Sequence, residues 1–168
     1  GLRQSNYYKG KMDLWYFFVC YGLDILKPKG LLGFIAPNNW VTNAGASILR
    51  NKIISDSKIQ NIIDFGAYMV FDGASIQTMI LLIEKTKSEK YTFEYCKIEN
   101  AKPTLEFAVS VLNKEKRDGL KYLQPEIEIK NFINKYLLFD GNEEQKLLLK
   151  IQAKQNLFLD EKKEVAQG

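Results

Sequence analysis

The feature that most constrains this chain is the short stretch 66–75 between two apolar runs, Lys58 to Phe65 and Ile76 to Ile83. It is too short to hold a crossover helix, so two strands there must pair antiparallel. The run before them, Leu31-Leu32-Gly33-Phe34-Ile35, is continuous and too short for a helix, as expected of a strand covered on both faces. Between it and Lys58 lies Ala46 to Ser55, which reads as a helix with Ile48, Leu49 and Ile53 inward. Strands joined through a helix run parallel with a right-handed crossover. The fold class that follows is α/β, an open sheet whose last strand runs the wrong way.

Ahead of this core, Leu14, Phe17, Phe18, Tyr21 and Ile25 fall at helical spacing and predict a helix with that stripe buried. Pro28 and Gly30 end it near Lys27. Downstream, Tyr91 to Ile98 reads as a further strand, and Asn100 to Asp140 as a connector with moderate helix content. Asn142-Glu143-Glu144-Gln145 then has the form of a helix cap, followed by Leu147, Leu148 and Ile151.

Composition narrows the chemistry. The 168 residues are 46% hydrophobic and 26% charged, enough for one ordinary domain core. Histidine is absent, which excludes imidazole bases, Ser-His pairs and His-ligated metals from this chain. Cys20 and Cys96 stand far apart without Cys-x-x-Cys spacing, so a reducing cytoplasm is the expected setting. No apolar run approaches a membrane span, and the first residues lack a signal peptide's apolar stretch. The net charge is +4, and residues 1–58 carry eight bases against three acids. The basic excess therefore sits in the first third.

Several segments, in unbroken order from Lys9 to Lys85, carry a resemblance. They are Lys11-Met12-Asp13-Leu14-Trp15, then Leu26-Lys27-Pro28-Lys29-Gly30 running on through Pro37-Asn38-Asn39-Trp40, then Ile63-Asp64-Phe65-Gly66, then Val70-Phe71-Asp72-Gly73-Ala74-Ser75-Ile76-Gln77-Thr78. Together they resemble the second half of the catalytic domain of N6-adenine DNA methyltransferases of the bifunctional type II restriction-modification class. The resemblance implies a partial three-layer Rossmann-like methyltransferase fold with an antiparallel last strand, then a C-terminal helical connector. It places the catalytic half at 1–99 and the connector at 100–168, leading toward a target-recognition domain.

The family's glycine-rich turn for S-adenosylmethionine and its Asn-Pro-Pro-Tyr type motif do not occur in this sequence. Pro37-Asn38-Asn39-Trp40 imitates the latter but has one proline and follows a different strand. The resemblance thus implies a fragment with no catalytic residue of its own, inactive alone, whose parent uses S-adenosylmethionine and duplex DNA and is in some cases fused to a nuclease. A nuclease pattern of Asp118 with Glu128-Ile129-Lys130 fits only loosely, and chance explains it.

Two positions carry over singly. Phe71 matches the aromatic that in the family stacks on the flipped-out adenine; read without the family, it is a loop aromatic packed on the sheet. Phe18 matches the residue lining the cofactor's adenine pocket, yet it also lies on the predicted buried stripe. Asp13 suits the start of the helix dipole. Lys9, Lys11, Arg50 and Lys52 are candidates for DNA phosphate contacts, or else a solvated surface.

The leading expectation is therefore part of an enzyme that methylates N6 of adenine in duplex DNA. Its rival is a non-catalytic structural or DNA-contacting module, a separate subunit or degenerate remnant. The first strand is expected to expose an apolar sheet edge, which invites self-association.

Overall fold

The computed structural model describes residues 1–71 and 73–139, with Leu147 and Lys150 beyond them. The helix expected after Asn142 otherwise lies outside the described residues. Helix α1 (Trp15–Ile25) leads into strand β1 (Leu31–Pro37), and α2 (Ser47–Asp56) into β2 (Lys58–Asp64). Strand β3 (Thr78–Glu84) begins two residues later than its apolar run suggests. The expected strand at Tyr91 to Ile98 divides into β4 (Lys90–Thr92) and β5 (Glu94–Ile98). Then follow α3 (Leu105–Leu112), β6 (Leu120–Leu123), β7 (Glu126–Glu128) and the short α4 (Ile129–Phe132).

The main sheet has the order β1-β3-β2-β5-β6, and β4 pairs with β7 in a separate ribbon. β3 is antiparallel to both β1 and β2, inserted between them, so those two run parallel as the helix connection requires. β5 continues the sheet parallel to β2, and β6 closes it antiparallel. The segment expected to be a connector thus contributes a strand to the main sheet as well as a helix.

Neighbouring residues show the layering. Ile62 and Tyr95 belong to the core beneath α1 and α2, whereas Ile63 and Cys96 meet the second core, built with Phe107, Ala108 and Val111 of α3. Because successive strand residues point to opposite faces, α3 covers the face opposite α1 and α2. That is a three-layer α/β arrangement, complete only over the β2-β5-β6 end.

Two expectations need correction. β1 is not covered on both faces: Leu32, Phe34 and Ala36 turn toward α1 and the core, while Leu31, Gly33 and Ile35 stay exposed, because α3 sits too far along the sheet to reach them. The stripe of α1 is also different. Tyr16, Phe17, Val19, Cys20 and Leu23 are buried, whereas Leu14, Phe18, Tyr21 and Ile25 are exposed. The helix is apolar on both sides, so hydrophobic spacing alone selects neither face.

This assignment has a measurable consequence. Leu23→Ala is expected to lower stability by about 2–5 kcal/mol by emptying a core site, and Tyr21→Lys to change it by no more than about 0.5 kcal/mol. Urea midpoints for the two variants check it, and the reverse order would mean the helix buries its other face.

Candidate site at the carboxyl ends of the strands

Open α/β sheets bind ligands beyond the carboxyl ends of their parallel strands. Here those ends belong to β1, β2 and β5. A cleft of about 360 Å³ lies there, lined by Asn38, Thr42, Asp64, Tyr95, Lys97 and Phe139 among others. Its floor is a hydrogen-bonded group centred on Asp64, a buried carboxylate only 6% exposed. Asp64 Oδ1 accepts from the Gly66 amide at 2.9 Å and from Asn38 Nδ2 at 3.3 Å, and Oδ2 accepts from the Tyr95 hydroxyl at 3.3 Å. Asn38 also donates to Gln77 Oε1 at 3.4 Å, and its backbone N–H to the Gln77 carbonyl at 3.0 Å. Gly66 has φ +56, and a Cβ there would sit 2.1 Å from the Ile98 carbonyl oxygen, so only glycine fits this turn.

One wall of the cleft depends on Arg50. This guanidinium is 3% exposed and points inward from α2. Nη1 donates to the carbonyls of Trp40 at 2.6 Å and Asn43 at 2.5 Å, and Nε to that of Lys135 at 3.2 Å. The Tyr136 ring lies 5.2 Å from it, and Leu137 N–H donates to the Val41 carbonyl at 2.9 Å. Segment 135–139 is thereby held against the turn after β1, which puts Phe139 beside the cleft. Burial pulls the Arg50 pKa down from its ordinary value.

Arg50 is therefore no DNA contact: the donors that would grip a phosphate are spent on carbonyls inside the fold. Lys52 is corrected on the same ground. Its ammonium bridges Asp24 at 2.6 Å and Asp56 at 3.1 Å with little of the side chain exposed, and it lies 5.2 Å from the Tyr7 ring. Lys9 and Lys11 are exposed, Lys9 donating to Ser47 Oγ at 2.7 Å. Of the four bases, only these two face solvent.

Phe71 is 49% exposed, in the loop that leaves the carboxyl end of β2. The reading as an aromatic packed in the core does not hold. Phe18 is 60% exposed, so it does not sit on the buried stripe either. Trp15 stacks on Phe34 at 5.9 Å while Gly22 lies against Leu32, so α1 runs opposite to β1. The first turns of α1, with Phe18, therefore lie toward the same end of the sheet as the Phe71 loop. The side chain of Asp13 makes no cap bond at the start of α1, where the capping position is Leu14.

Neither cysteine is a poised nucleophile. Burial pushes the Cys20 thiol up to about 11 and raises Cys96 as well. Among the described residues no group of three His, Cys, Asp or Glu side chains could hold a metal ion. Asp118 borders a shallow hollow of about 470 Å³ near β6, while the Glu128 carboxylate is engaged by Lys130 at 2.6 Å. Among the described residues no helix is long and apolar enough to cross a membrane.

Comparison with known proteins gives a consistent direction. Residues 2–71 match the family described as Eco57I restriction-modification methylase. The chain is 25% identical over 83 residues to the type II restriction enzyme and methyltransferase RM.Eco57I of Escherichia coli, covering 49% of this chain and 8% of that protein. It is 31% identical over 77 residues to the type II methyltransferase M.BanIII of Aneurinibacillus aneurinilyticus, covering 46% of this chain and 13% of that protein. The chain thus spans a small part of the curated relatives it matches. The fold is similar to that of the type IIG restriction endonuclease BpuSI, with TM-score 0.52 and 12% identity over 75% of this chain and 16% of that one. It is also similar to a chain of a type I R-M system, with TM-score 0.51 and 10% identity over 88% of this chain and 42% of that one.

The sorting of the bases is testable. Lys52→Ala is expected to lower stability by about 1 kcal/mol by removing the ammonium that Asp24 and Asp56 share, without changing the salt dependence of duplex DNA binding. Lys9→Ala and Lys11→Ala should each reduce that salt slope by about one, with unchanged melting. Salt-titrated fluorescence anisotropy beside thermal melts separates the two classes.

Proposed function

We propose that this chain, related through residues 2–71 to restriction-modification methylases, is part of an enzyme that transfers a methyl group from S-adenosylmethionine to N6 of adenine in duplex DNA. The observation that carries the reading is Phe71, a large aromatic held half exposed beyond the carboxyl end of β2 instead of buried in the core. A base inside a duplex is out of reach of such chemistry, so it must be extruded at a cost of a few kcal/mol. An aromatic face offsets about 1–3 kcal/mol of that cost by stacking. Phe71 takes this role, and Lys9 and Lys11 hold the duplex by its phosphates.

Bound S-adenosylmethionine would supply the electrophilic methyl group. The exposed face of Phe18 fits an aromatic wall for its adenine, while the glycine-rich turn and the amine-positioning motif are absent from the sequence. This chain therefore contributes one side of the pocket. It is expected to be inactive alone, and its open β1 edge to favour self-association, seen as dimers or larger species in sedimentation at high concentration.

Labelled methyl transfer to unmethylated duplex DNA is expected to stay at background with the 168-residue chain alone. Co-expressed with the glycine-rich and Asn-Pro-Pro-Tyr half of a relative's catalytic domain, it should yield N6-methyladenine. Activity of the chain by itself, or label in cytosine, would sink the reading. In the active assembly Phe71→Ala is expected to lose about 5- to 150-fold in catalytic efficiency, corresponding to about 1–3 kcal/mol of lost stacking. Phe71→Trp should keep most of the activity, because any broad aromatic face can stack.

A further inference from the structure

The loop that carries Phe71 leaves β2 at Gly66 and rejoins the sheet at Gln77, and both of its ends meet one polar group. At the start, Asp64 Oδ1 holds the Gly66 N–H in a turn that no residue with a Cβ could make. At the end, the Asn38 backbone N–H holds the Gln77 carbonyl and its side-chain amide bridges Asp64 to Gln77. The Tyr95 hydroxyl completes the set from β5. We propose that Asp64 and Asn38 are positioning residues for Phe71, clamping the two ends of its loop so that the aromatic is presented at a fixed place beyond the sheet. This rests on the reading of Phe71 as the residue that stacks on the extruded base.

The donors gathered on Asp64 support a role beyond packing. Asp64 is buried, and no cation among the described residues lies within ion-pair distance of it. Buried carboxyl oxygens are costly to leave unpaired and must find donors. Here three donors from three parts of the chain converge on its two oxygens. An asparagine of the same shape keeps two acceptor sites on its oxygen for the Gly66 and Asn38 N–H groups and can turn its amide toward the Tyr95 hydroxyl, so only a variant without the side-chain oxygen removes the clamp. Tied at both ends, the loop has less freedom to lose when its ring stacks on a base.

Amide hydrogen exchange on the 168-residue chain reads the clamp directly. In Asp64→Ala and Asn38→Ala, exchange across 66–77 is expected to accelerate about tenfold while the inner amides of β2 and β3 stay within about twofold of wild type. Acceleration throughout the sheet would make the pair ordinary core residues and overturn the proposal, as would no change in the loop. The active assembly gives the second readout. Asp64→Ala should lower kcat with KM for DNA within about twofold, and add no more than about twofold to the defect of Phe71→Ala in the double variant. Multiplying defects would show that Asp64 acts by another route. Wild-type rates in Phe71→Ala would overturn the base-stacking reading itself, and the proposal with it, while the exchange data would still report separately on the clamp.

Discussion

The position of β3 between β1 and β2 governs most of what this structure can do. Strands in a sheet stand about 4.8 Å apart, so an antiparallel insert puts the carboxyl ends of β1 and β2 roughly 10 Å from each other with the amino end of β3 between them. The residues leaving those ends are then close enough for side chains to meet. Asn38 follows β1, Asp64 closes β2 and Gln77 precedes β3, and the three form one hydrogen-bonded group. Without the inserted strand, β1 and β2 would be direct neighbours, and no chain end would return between them.

A second constraint works from α2. A guanidinium as buried as that of Arg50 must find acceptors, and it finds them in three backbone carbonyls. Those carbonyls belong to the turn after β1 and to the segment around Lys135, far apart in sequence. The same bonds that satisfy the cation therefore close one wall of the cleft. Trp40 reinforces the arrangement, fully buried with its indole N–H directed at Met79 Sδ at 3.2 Å, so the turn after β1 is tied to β3 as well.

How much of this was legible in the sequence follows from which constraints were hard. The antiparallel return of β3 was readable because stretch 66–75 is too short for any other connection, and chain length admits no exceptions. The face of α1 was not, because Tyr16, Val19, Cys20 and Leu23 are as apolar as Leu14, Phe18, Tyr21 and Ile25, and both sets have helical spacing. The decision came from tertiary contacts with α2 and β1, which no local pattern records. Likewise the short strands β6 and β7 gain their structure from partners far away in the chain, β5 and β4. An irregular local pattern was the expected signature of that.

The charges of the candidate site were not sorted by the sequence. Lys9, Lys11, Arg50 and Lys52 are equivalent as sequence letters, but a helix turns its side chains through all directions, and α2 aims Arg50 at the core. Lys52, on the same helix, meets Asp24 of α1 and Asp56 one turn later. Asp56 at four residues' distance was a readable signal, since an i,i+4 pair satisfies a lysine locally and removes it from the supply of free cations. Asp64 offered a comparable clue. A lone acid closing an apolar strand and followed two residues later by glycine suits an Asx-type turn, where a carboxylate receives the backbone N–H that the tight turn leaves unpaired. The strand buries the acid, the turn consumes one of its lone pairs, and the remaining acceptor capacity is what the neighbouring strand ends bind to.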